Sequence, residues 1–216
     1  MISLVTVVRN EEARIGKMLD WHQPWVDEVI VVHDGPCEDQ TKNIVTQRKC
    51  VYYERPYTGY CEPHRAAGTA WSHGDWILFV DADEMFPIQF LQSVREIAKT
   101  DQFDGVVLYR KTTWVDAPER AAVQDMQMRF CRKSDVSISP MIHTSPMCKG
   151  KVVSFVEVFP IVHKNREADI PEKLERYRGV IEGLLEQDPS NHHLHQCLRD
   201  MAQDEQRFGL VRDSSI

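Results

Sequence analysis

Three carboxylates stand close together in the stretch HGDWILFVDADEM, residues 73–85. Residues 76–80 are apolar or aromatic, and Asp81, Asp83 and Glu84 follow directly. A short apolar run that ends in acidic residues is typical of a buried strand that stops abruptly. Carboxylates this close repel one another unless a positive charge lies among them, and a divalent cation prefers such oxygen ligands. The stretch therefore predicts a cation site at the end of a strand.

Polar residues also follow two earlier apolar runs. SLVTVV is followed by RNEE, in which Asn10 suits the N-cap of a helix and Glu11 its first turn. EVIVVH is followed by DGPCEDQT, in which Gly35 and Pro36 turn the chain and Asp34 is left at the strand end. Ligands of open α/β sheets bind beyond the carboxyl ends of parallel strands, so these three strand ends should form one site.

The elements that must position these residues alternate between strands and helices. The patterns predict strands over residues 3–8, 28–33, 51–54 and 76–80, and helices over residues 11–21, 37–46, 63–72 and 87–100. This alternation predicts an α/β fold with a mostly parallel, Rossmann-like central sheet and helices on both faces.

The second half of the chain is less regular. The patterns predict strands over residues 105–110, 126–133, 151–155 and 158–163, with a loop over residues 111–125. The last two strands lie too close together for a crossover, so we expect this half to be mixed or antiparallel. From Ile170 onward, apolar residues recur at helical intervals, which predicts a C-terminal helical hairpin. The chain thus divides into residues 1–100, residues 101–168 as the second half of the same domain, and a helical extension over residues 169–216.

The composition argues against nucleic-acid binding and against a membrane-spanning segment. The 26 Lys and Arg residues and 33 Asp and Glu residues give a formal charge of −7, which disfavours electrostatic binding of nucleic acid over a large surface. The six cysteines show no CxxC pair, and the start ISLVTVV lacks the features of a signal peptide. No apolar segment approaches the ~20 residues that a membrane helix needs. We expect a cytoplasmic protein with reduced thiols, and peripheral attachment to the inner face of a membrane stays open.

Three segments, in this order, resemble the nucleotide-sugar half of family 2 glycosyltransferases with the GT-A fold. VTVVRNEEARIGKML is similar to the N-E-x signature after the first strand, and DEVIVVHDGPCEDQT to the D-x-S-x-D-x-T-like loop after the second. PHRAAGTAWSHGDWILFVDADE ends in a D-x-D motif after the fourth strand. The resemblance covers about residues 2–90. It implies that residues 1–100 bind a nucleotide-diphosphate sugar and residues 101–168 an acceptor, which is a carbohydrate or a glycolipid.

The resemblance implies a role for each matched residue. Asp34 matches the acid that contacts the nucleobase, Arg65 a basic residue near the nucleotide or its phosphates, and Asp81 the acid beside the ribose. Asp83 matches the direct ligand of a Mn²⁺ or Mg²⁺ ion that bridges the diphosphate. The other positions that it places in the nucleotide-sugar site are Val7, Arg9, Glu11 and Ala82.

A metal-dependent sugar transfer makes chemical sense of these residues. A sugar diphosphate leaves with two negative charges, and a hard cation held by oxygen ligands stabilises that departure. Asp83 is the first choice as metal ligand and Asp81 the weaker one, and a third ligand is expected from the second half of the chain, either His163 or His143. The alternative for each histidine is a packed, hydrogen-bonded residue without a metal.

An inverting transfer needs a general base that takes the proton of the acceptor hydroxyl. Asp125, in the loop before MQMRF, is the candidate, with Asp116 and Glu119 as nearby rivals. An exposed loop carboxylate without a catalytic role is the alternative. Arg129 and Arg132 alternate on the following strand and face either a phosphorylated acceptor or solvent.

The chain also departs from the pattern of the family. His33 replaces an acid and Pro36 a serine in the second loop, and Arg9 stands where an aromatic residue is common. QDMQMRFCRKSDVSISPMIHTSP and FPIVHKNREADIPEKLERYRGVIEGLLEQDPSN resemble segments of the bacterial lipopolysaccharide-core branch. Thr144 occupies the place of a glutamate of that branch, so a glutamate cannot act on substrate at this position.

Other functions compete with sugar transfer. A non-catalytic glycan- or nucleotide-binding module of the same fold would explain the altered second loop. A nucleotidyltransferase also places acids and a metal at the edge of a sheet, but RNEEARIG is not the glycine-rich phosphate loop that it needs. A phosphatase with an aspartate nucleophile would carry its D-x-D motif after the first strand rather than the fourth.

Overall fold

The computed structural model describes residues 1–155 and 160–210 of the chain. The strands are β1 (Ile2–Val8), β2 (Glu28–Asp34), β3 (Val51–Arg55), β4 (Trp76–Phe79), β5 (Glu84–Met85), β6 (Gly105–Trp114), β7 (Val123–Arg132), β8 (Val136–Ser137), β9 (Met147–Cys148), β10 (Val152–Phe155) and β11 (Ile161–Asn165). The helices are α1 (Ile15–His22), α2 (Thr41–Gln47), α3 (Glu62–Trp71), α4 (Ile88–Lys99), α5 (Ile170–Gln187) and α6 (His192–Arg207). Single turns of 3-10 helix cover Gln23–Trp25 and Glu167–Asp169.

One mixed sheet runs through the molecule. Within the described ranges its strand order is β3-β2-β1-β4-β7-β6-β11-β5, and β10 also pairs with β6. β1 to β4 run parallel to one another, whereas β7 is antiparallel to both β4 and β6. The pairing of β4 with β7 joins the two predicted halves into one sheet.

Alternate residues of the parallel strands face two different layers of helices. Leu4, Val31 and Leu78 pack into the same apolar cluster as residues of α1 and α4. On the other face, a Cβ atom placed on Gly68 of α3 would lie 2.8 Å from a methyl group of Val5. The prediction of a mostly parallel sheet with helices on both faces is confirmed. Strands buried on both faces are nearly all apolar, which made them readable in the sequence.

The loop between β1 and α1 differs from the prediction. α1 begins at Ile15, and Asn10 has a φ of 50°, so the prediction that Asn10 caps this helix is wrong. Its side chain instead binds the loop after β2, because Glu38 N–H donates to Asn10 Oδ1 at 3.0 Å and Asn10 Nδ2 donates to Glu38 Oε2 at 3.2 Å. The first two strand ends are thereby tied together.

β6 and β7 form a longer hairpin than the sequence predicts. Residues 111–114 and 123–125, which we expected in a loop, belong to the two strands. The sequence did not show these strand segments, because many of their side chains are polar. One face of the hairpin borders the polar cavity and the other faces solvent, so apolar and polar residues do not alternate clearly. The register places Arg110 opposite Asp125.

The expected mixed character of the second half is confirmed, but the last two strands do not pair with each other. β10 runs parallel to residues 105–108 of β6, and β11 runs parallel to residues 110–114 of the same strand. They therefore follow one another along one edge of β6. The predicted strand over residues 158–163 begins outside the described residues, and its described part starts at Ile161.

The predicted C-terminal helical hairpin is confirmed. α5 and α6 share a small apolar cluster with the loop before β9, in which Ile142, Ile181, Leu194, Cys197 and Met201 are buried. α6 is capped by Asn191, whose side chain accepts the N–H of Leu194. Among the helices in the described ranges, none has the length and apolar character needed to cross a bilayer.

Candidate active site

A cavity of about 840 Å³ lies at the carboxyl ends of β1, β2 and β4. Arg9 and Asp34 line it from the first two strand ends, and residues 81–83 line it from the third. The opposite walls come from β6, β7 and β11 and from the helical hairpin. The three strand ends singled out in the sequence therefore open into one cavity.

Asp81 is held by two arginines. Arg65 Nη2 donates to its Oδ1 at 2.8 Å, and Arg129 Nη2 donates to its Oδ2 at 2.8 Å. Burial raises the pKa of Asp81, but the positive charges of Arg129 and Arg65 outweigh burial and hold that pKa below its ordinary range. Both carboxylate oxygens of Asp81 are thus engaged by guanidinium groups, which positions Arg65 at the cavity wall.

Glu84 connects Asp81 and Arg129 to Arg110 and Asp125 on the β6–β7 hairpin. Its side chain is fully buried, accepts a short hydrogen bond from Arg129 Nη2 and lies 3.3 Å from Arg110 Nη1. Burial raises the pKa of Glu84. Arg110 in turn binds both carboxylate oxygens of Asp125, at 2.9 and 2.6 Å. A continuous series of ion pairs therefore connects Asp81 to Asp125 through Arg129, Glu84 and Arg110.

Asp83 meets His163 across the strand pairing of β5 with β11. His163 Nε2 lies 3.0 Å from Asp83 Oδ2, and its Nδ1 lies 2.8 Å from Thr112 Oγ1. This pattern assigns the proton to Nε2, with Nδ1 accepting the threonine hydroxyl. Burial raises the pKa of Asp83, but the hydrogen bond and electrostatic interaction with His163, together with the charge of Lys173, lower that pKa below its usual value. Arg14 Nη1 lies 3.7 Å from the same carboxylate.

These two side chains fit a divalent cation that the substrate helps to bind. In the parts of the chain that the structure describes, no three His, Cys, Asp or Glu side chains gather closely enough to hold a metal alone. Mg²⁺ typically keeps several waters and takes one or two carboxylates together with substrate phosphates. Asp83 with His163 supplies such a partial set. His143 also lines the cavity, but its ring packs edge-on against Tyr177, with centroids 4.8 Å apart.

Asp34 lies at the other end of the same wall and is almost fully buried. It accepts N–H groups from Thr58 at 2.6 Å and Gly59 at 2.9 Å, and His64 Nε2 lies 2.8 Å from its Oδ1. Burial raises the pKa of Asp34, but these hydrogen bonds hold it below the ordinary value. The φ of 81° at Gly59 allows the loop to turn its N–H toward the carboxylate.

Arg9 and His33, two of the departures from the family pattern, shape this corner. Arg9 Nη1 donates to the backbone carbonyl of Asp34 at 3.0 Å, and the guanidinium lies 4.2 Å from the centre of the Tyr57 ring. His33 is buried, and its Nε2 accepts the N–H of Asn10 at 3.1 Å while its Nδ1 donates to the carbonyl of Gly35 at 2.8 Å. His33 therefore links loops rather than facing a ligand.

The remaining predicted donor-site residues also line the cavity, namely Val7, Glu11 and Ala82. Burial raises the pKa of Glu11 to about 7, although Arg14 opposes the shift. Arg14 Nε lies 3.2 Å from Glu11 Oε2. Glu11 is therefore a carboxyl group whose charge changes near neutral pH, close to Asp83.

The predicted general base lies beside the cavity and not in its described lining. Asp125 is bound by Arg110 and also accepts Gln127 Nε2 at 2.6 Å. Burial raises the pKa of Asp125, but Arg110 outweighs burial and lowers that pKa. Of the two rivals, Asp116 accepts the N–H groups of Glu167 and Ala168 at 2.7 and 3.0 Å, and Glu119 is exposed.

The structure adds residues that the sequence reasoning missed. His64 stands behind Asp34, and Arg14 stands beside Asp83. Arg129 does not face solvent, because it is 1% exposed and bound to Asp81 and Glu84 in the wall of the cavity. A charged residue inside the apolar run of β7 was the available signal for Arg129, whereas no local pattern marked His64. Arg132 pairs with Asp104 at 3.2 Å.

A family model and several curated proteins match this chain. The family model described as Glycosyl transferase family 2 matches residues 3–151. An uncharacterised glycosyltransferase of Rickettsia felis is 30% identical over 109 residues, which cover 50% of this chain and 38% of that protein. One of Rickettsia typhi is 28% identical over 109 residues, covering 50% and 37%. This chain spans little more than a third of the length of these curated relatives.

Solved structures with a similar fold include TarS of S. aureus. TarS has a TM-score of 0.58 at 16% identity, with 94% of this chain and 43% of TarS covered. TarS 1–349 in complex with UDP-GlcNAc has a TM-score of 0.54 at 16% identity, covering 94% and 72%. At this identity the likeness concerns the fold, and it confirms the predicted GT-A class.

Proposed function

The chain belongs to glycosyl transferase family 2, and from that premise we propose that it moves a sugar from a nucleotide-diphosphate sugar to an acceptor hydroxyl with the help of a divalent cation. The observation that carries the proposal is the meeting of Asp83 with His163 in a cavity that Asp34 also lines. One cavity thus combines a partial ligand set for a hard cation with a polar pocket at the second strand end. In a nucleotide-diphosphate sugar, the diphosphate suits the cation and the nucleobase suits the polar pocket.

The chain's own residues divide the work on the diphosphate. Asp83 and His163 would hold Mn²⁺ or Mg²⁺, which neutralises the leaving diphosphate when bound. Asp81 uses both oxygens on Arg65 and Arg129, so it acts by orienting Arg65 rather than as a metal ligand. A guanidinium at the cavity wall suits bidentate contact with phosphate oxygens.

The donor is proposed to enter with its nucleobase toward Asp34 and Arg9. Val7, Glu11 and Ala82 line the path between this corner and Asp83. The complexes of TarS 1–349 with UDP-GlcNAc and with UDP support a uridine nucleotide, since that protein shares the fold. The acceptor is proposed to be a carbohydrate or a glycolipid, on the resemblance of the second half of the chain to the lipopolysaccharide-core branch. Peripheral membrane contact belongs to the same proposal.

Inversion requires a base on the face opposite the leaving group, and Asp125 remains our prediction for it. In the present arrangement Arg110 occupies both of its oxygens. Asp125 accepts a proton only after Arg110 turns toward Glu84, which lies 3.3 Å from its other terminal nitrogen. The proposal therefore includes a shift of Arg110 when the acceptor binds.

The test is release of the nucleoside diphosphate from a panel of nucleotide sugars, measured with Mn²⁺, with Mg²⁺ and with EDTA. We expect metal-dependent release from at least one donor. Asp83→Asn should lower the rate at least about 100-fold, because a catalytic metal contributes several kcal/mol to the transition state. Asp101→Asn is the matched control, since the Asp101 side chain is fully exposed. Equal release in EDTA, or a fully active Asp83→Asn variant, would refute the metal role.

A further inference from the structure

His64 occupies the first turn of α3 directly behind Asp34, and neither the sequence motifs nor the family match gives it a role. It is 1% exposed, and its Nε2 lies 2.8 Å from Asp34 Oδ1 and 2.8 Å from Thr58 Oγ1. We infer that His64 is a positioning residue that fixes Asp34 so that the site prefers a nucleobase with an imide N–H. The inference deepens the proposed function and rests on it.

The hydrogen bonds of Asp34 leave one acceptor position free. A carboxylate offers about four lone-pair positions, two on each oxygen. Thr58 Oγ1 donates its proton to the carbonyl of Tyr60 at 2.9 Å, so His64 Nε2 carries the proton that Asp34 Oδ1 accepts. Oδ1 also accepts Thr58 N–H, and Oδ2 accepts Gly59 N–H. Both positions on Oδ1 are then filled, and Oδ2 keeps one at the cavity.

The second ring nitrogen of His64 indicates that its contact with Asp34 is required. His64 Nδ1 is buried and has no hydrogen-bond partner among the residues that the structure describes. Leaving a buried polar atom unpaired is unfavourable, and most such atoms in proteins are paired. A histidine held here at that cost suggests a requirement for the Nε2 contact rather than for packing alone. A leucine would fill similar space without an unpaired atom.

Arg9 brings a hydrogen-bond donor next to Asp34. Its Nη1 donates to the Asp34 carbonyl at 3.0 Å, and its guanidinium lies 4.2 Å from the centre of the Tyr57 ring. An acceptor flanked by donors complements an N–H group flanked by carbonyl oxygens. Uracil has this pattern at N3, between O2 and O4, whereas cytosine presents an acceptor at N3. The site should therefore prefer uridine over cytidine nucleotides.

The experiment measures the affinities of UDP and CDP, with Mn²⁺, by titration calorimetry. We expect the protein to bind UDP at least about tenfold more tightly than CDP, the scale at which a pair of base-edge hydrogen bonds discriminates. In His64→Leu this ratio should fall toward one. His64→Gln keeps an N–H donor and should retain most of the ratio. His73→Leu is the matched control, because His73 is 79% exposed and lies outside the site.

Two further probes separate positioning from a loss of structure. Inorganic pyrophosphate with Mn²⁺ should bind His64→Leu as tightly as it binds the parent protein, since it does not reach Asp34. N3-methyl-UDP tests the parent protein without any substitution, and we expect at least about tenfold weaker binding than for UDP.

The outcomes distinguish this inference from the proposed function. If the parent protein binds UDP and CDP equally, or N3-methyl-UDP as well as UDP, or if His64→Leu keeps the full ratio, the role of His64 is wrong. If no nucleoside diphosphate binds in the presence of Mn²⁺, the proposed function itself fails.

Discussion

At the scale of residues, two aspartates of one motif have different partners. Asp81 and Asp83 are chemically identical and two positions apart, yet Asp81 faces two arginines and Asp83 faces His163. An aspartate whose two oxygens both bind guanidinium groups has little capacity left for a cation. Asp83 hydrogen-bonds through Oδ2 to His163, an imidazole of the kind that binds metals in its neutral form, so our proposal places the cation at Asp83.

Arg129 provides the test of this arrangement. Arg129→Met would remove the guanidinium that Asp81 and the fully buried Glu84 share, leaving only Arg65 with Asp81 and Arg110 with Glu84. Removing one partner of a buried ion pair costs about 3–5 kcal/mol, so we expect a loss of that size in the free energy of unfolding, measured with urea. Lys99→Met removes an exposed pair with Glu96 and should cost less than about 1 kcal/mol. Equal losses for both variants would contradict the account.

At the scale of elements, close packing of α3 on the sheet sets the position of Arg65 and His64. Gly68 lies one turn further along this helix and faces β1 and β2. A Cβ atom at Gly68 would lie 2.8 Å from Val5 Cγ1 and 3.0 Å from Val32 Cγ2. The absence of a side chain therefore lets the helix approach the strands, and with it both site residues.

Two glycine substitutions in helices should have opposite effects on stability. Gly68→Ala forces a methyl group into the helix–sheet contact and should lower the free energy of unfolding by about 1–3 kcal/mol. Gly183→Ala lies in α5, where nothing comes within 4 Å of the added Cβ, and should raise it by about 0.5–1 kcal/mol. Chemical denaturation of both variants decides the matter, and a stabilising Gly68→Ala would show that α3 does not pack as described.

At the scale of the whole molecule, distant parts of the chain build one cavity. The strand ends of the first half, the β6–β7 hairpin with β11, and the helical hairpin all contribute walls. A ligand that touches all three holds the native arrangement and does not bind the unfolded chain. Its binding free energy therefore adds to the stability of the whole fold.

We accordingly expect UDP with Mn²⁺ to raise the melting temperature. At a ligand concentration 100 times Kd the gain is about 2.7 kcal/mol, which corresponds to roughly 5–10 °C for a chain of this size. The shift should shrink in EDTA and in Asp83→Asn, and Asp101→Asn should keep it. Differential scanning calorimetry measures these shifts, and an equal shift in EDTA would argue against a cation between Asp83 and the diphosphate.

The sequence by itself determined the fold class and the strand ends at which the site forms. Buried parallel strands are apolar runs, and the polar residues that end them stand out, so Asp34, Asp81 and Asp83 could be located along the chain. The resemblance to the family added predictions of their chemical roles. Where polar residues alternate within strands, as in residues 111–114 and 123–125, the same reasoning failed.

Only the tertiary structure decided which partner each of these carboxylates has. His64 lies 30 positions from Asp34, Arg129 48 positions from Asp81, and His163 80 positions from Asp83. No periodicity in the chain encodes such pairings, because they arise when strands and helices from separate segments pack together. The electrostatic state of a carboxylate depends on those neighbours and on burial, so it is a property of the folded molecule.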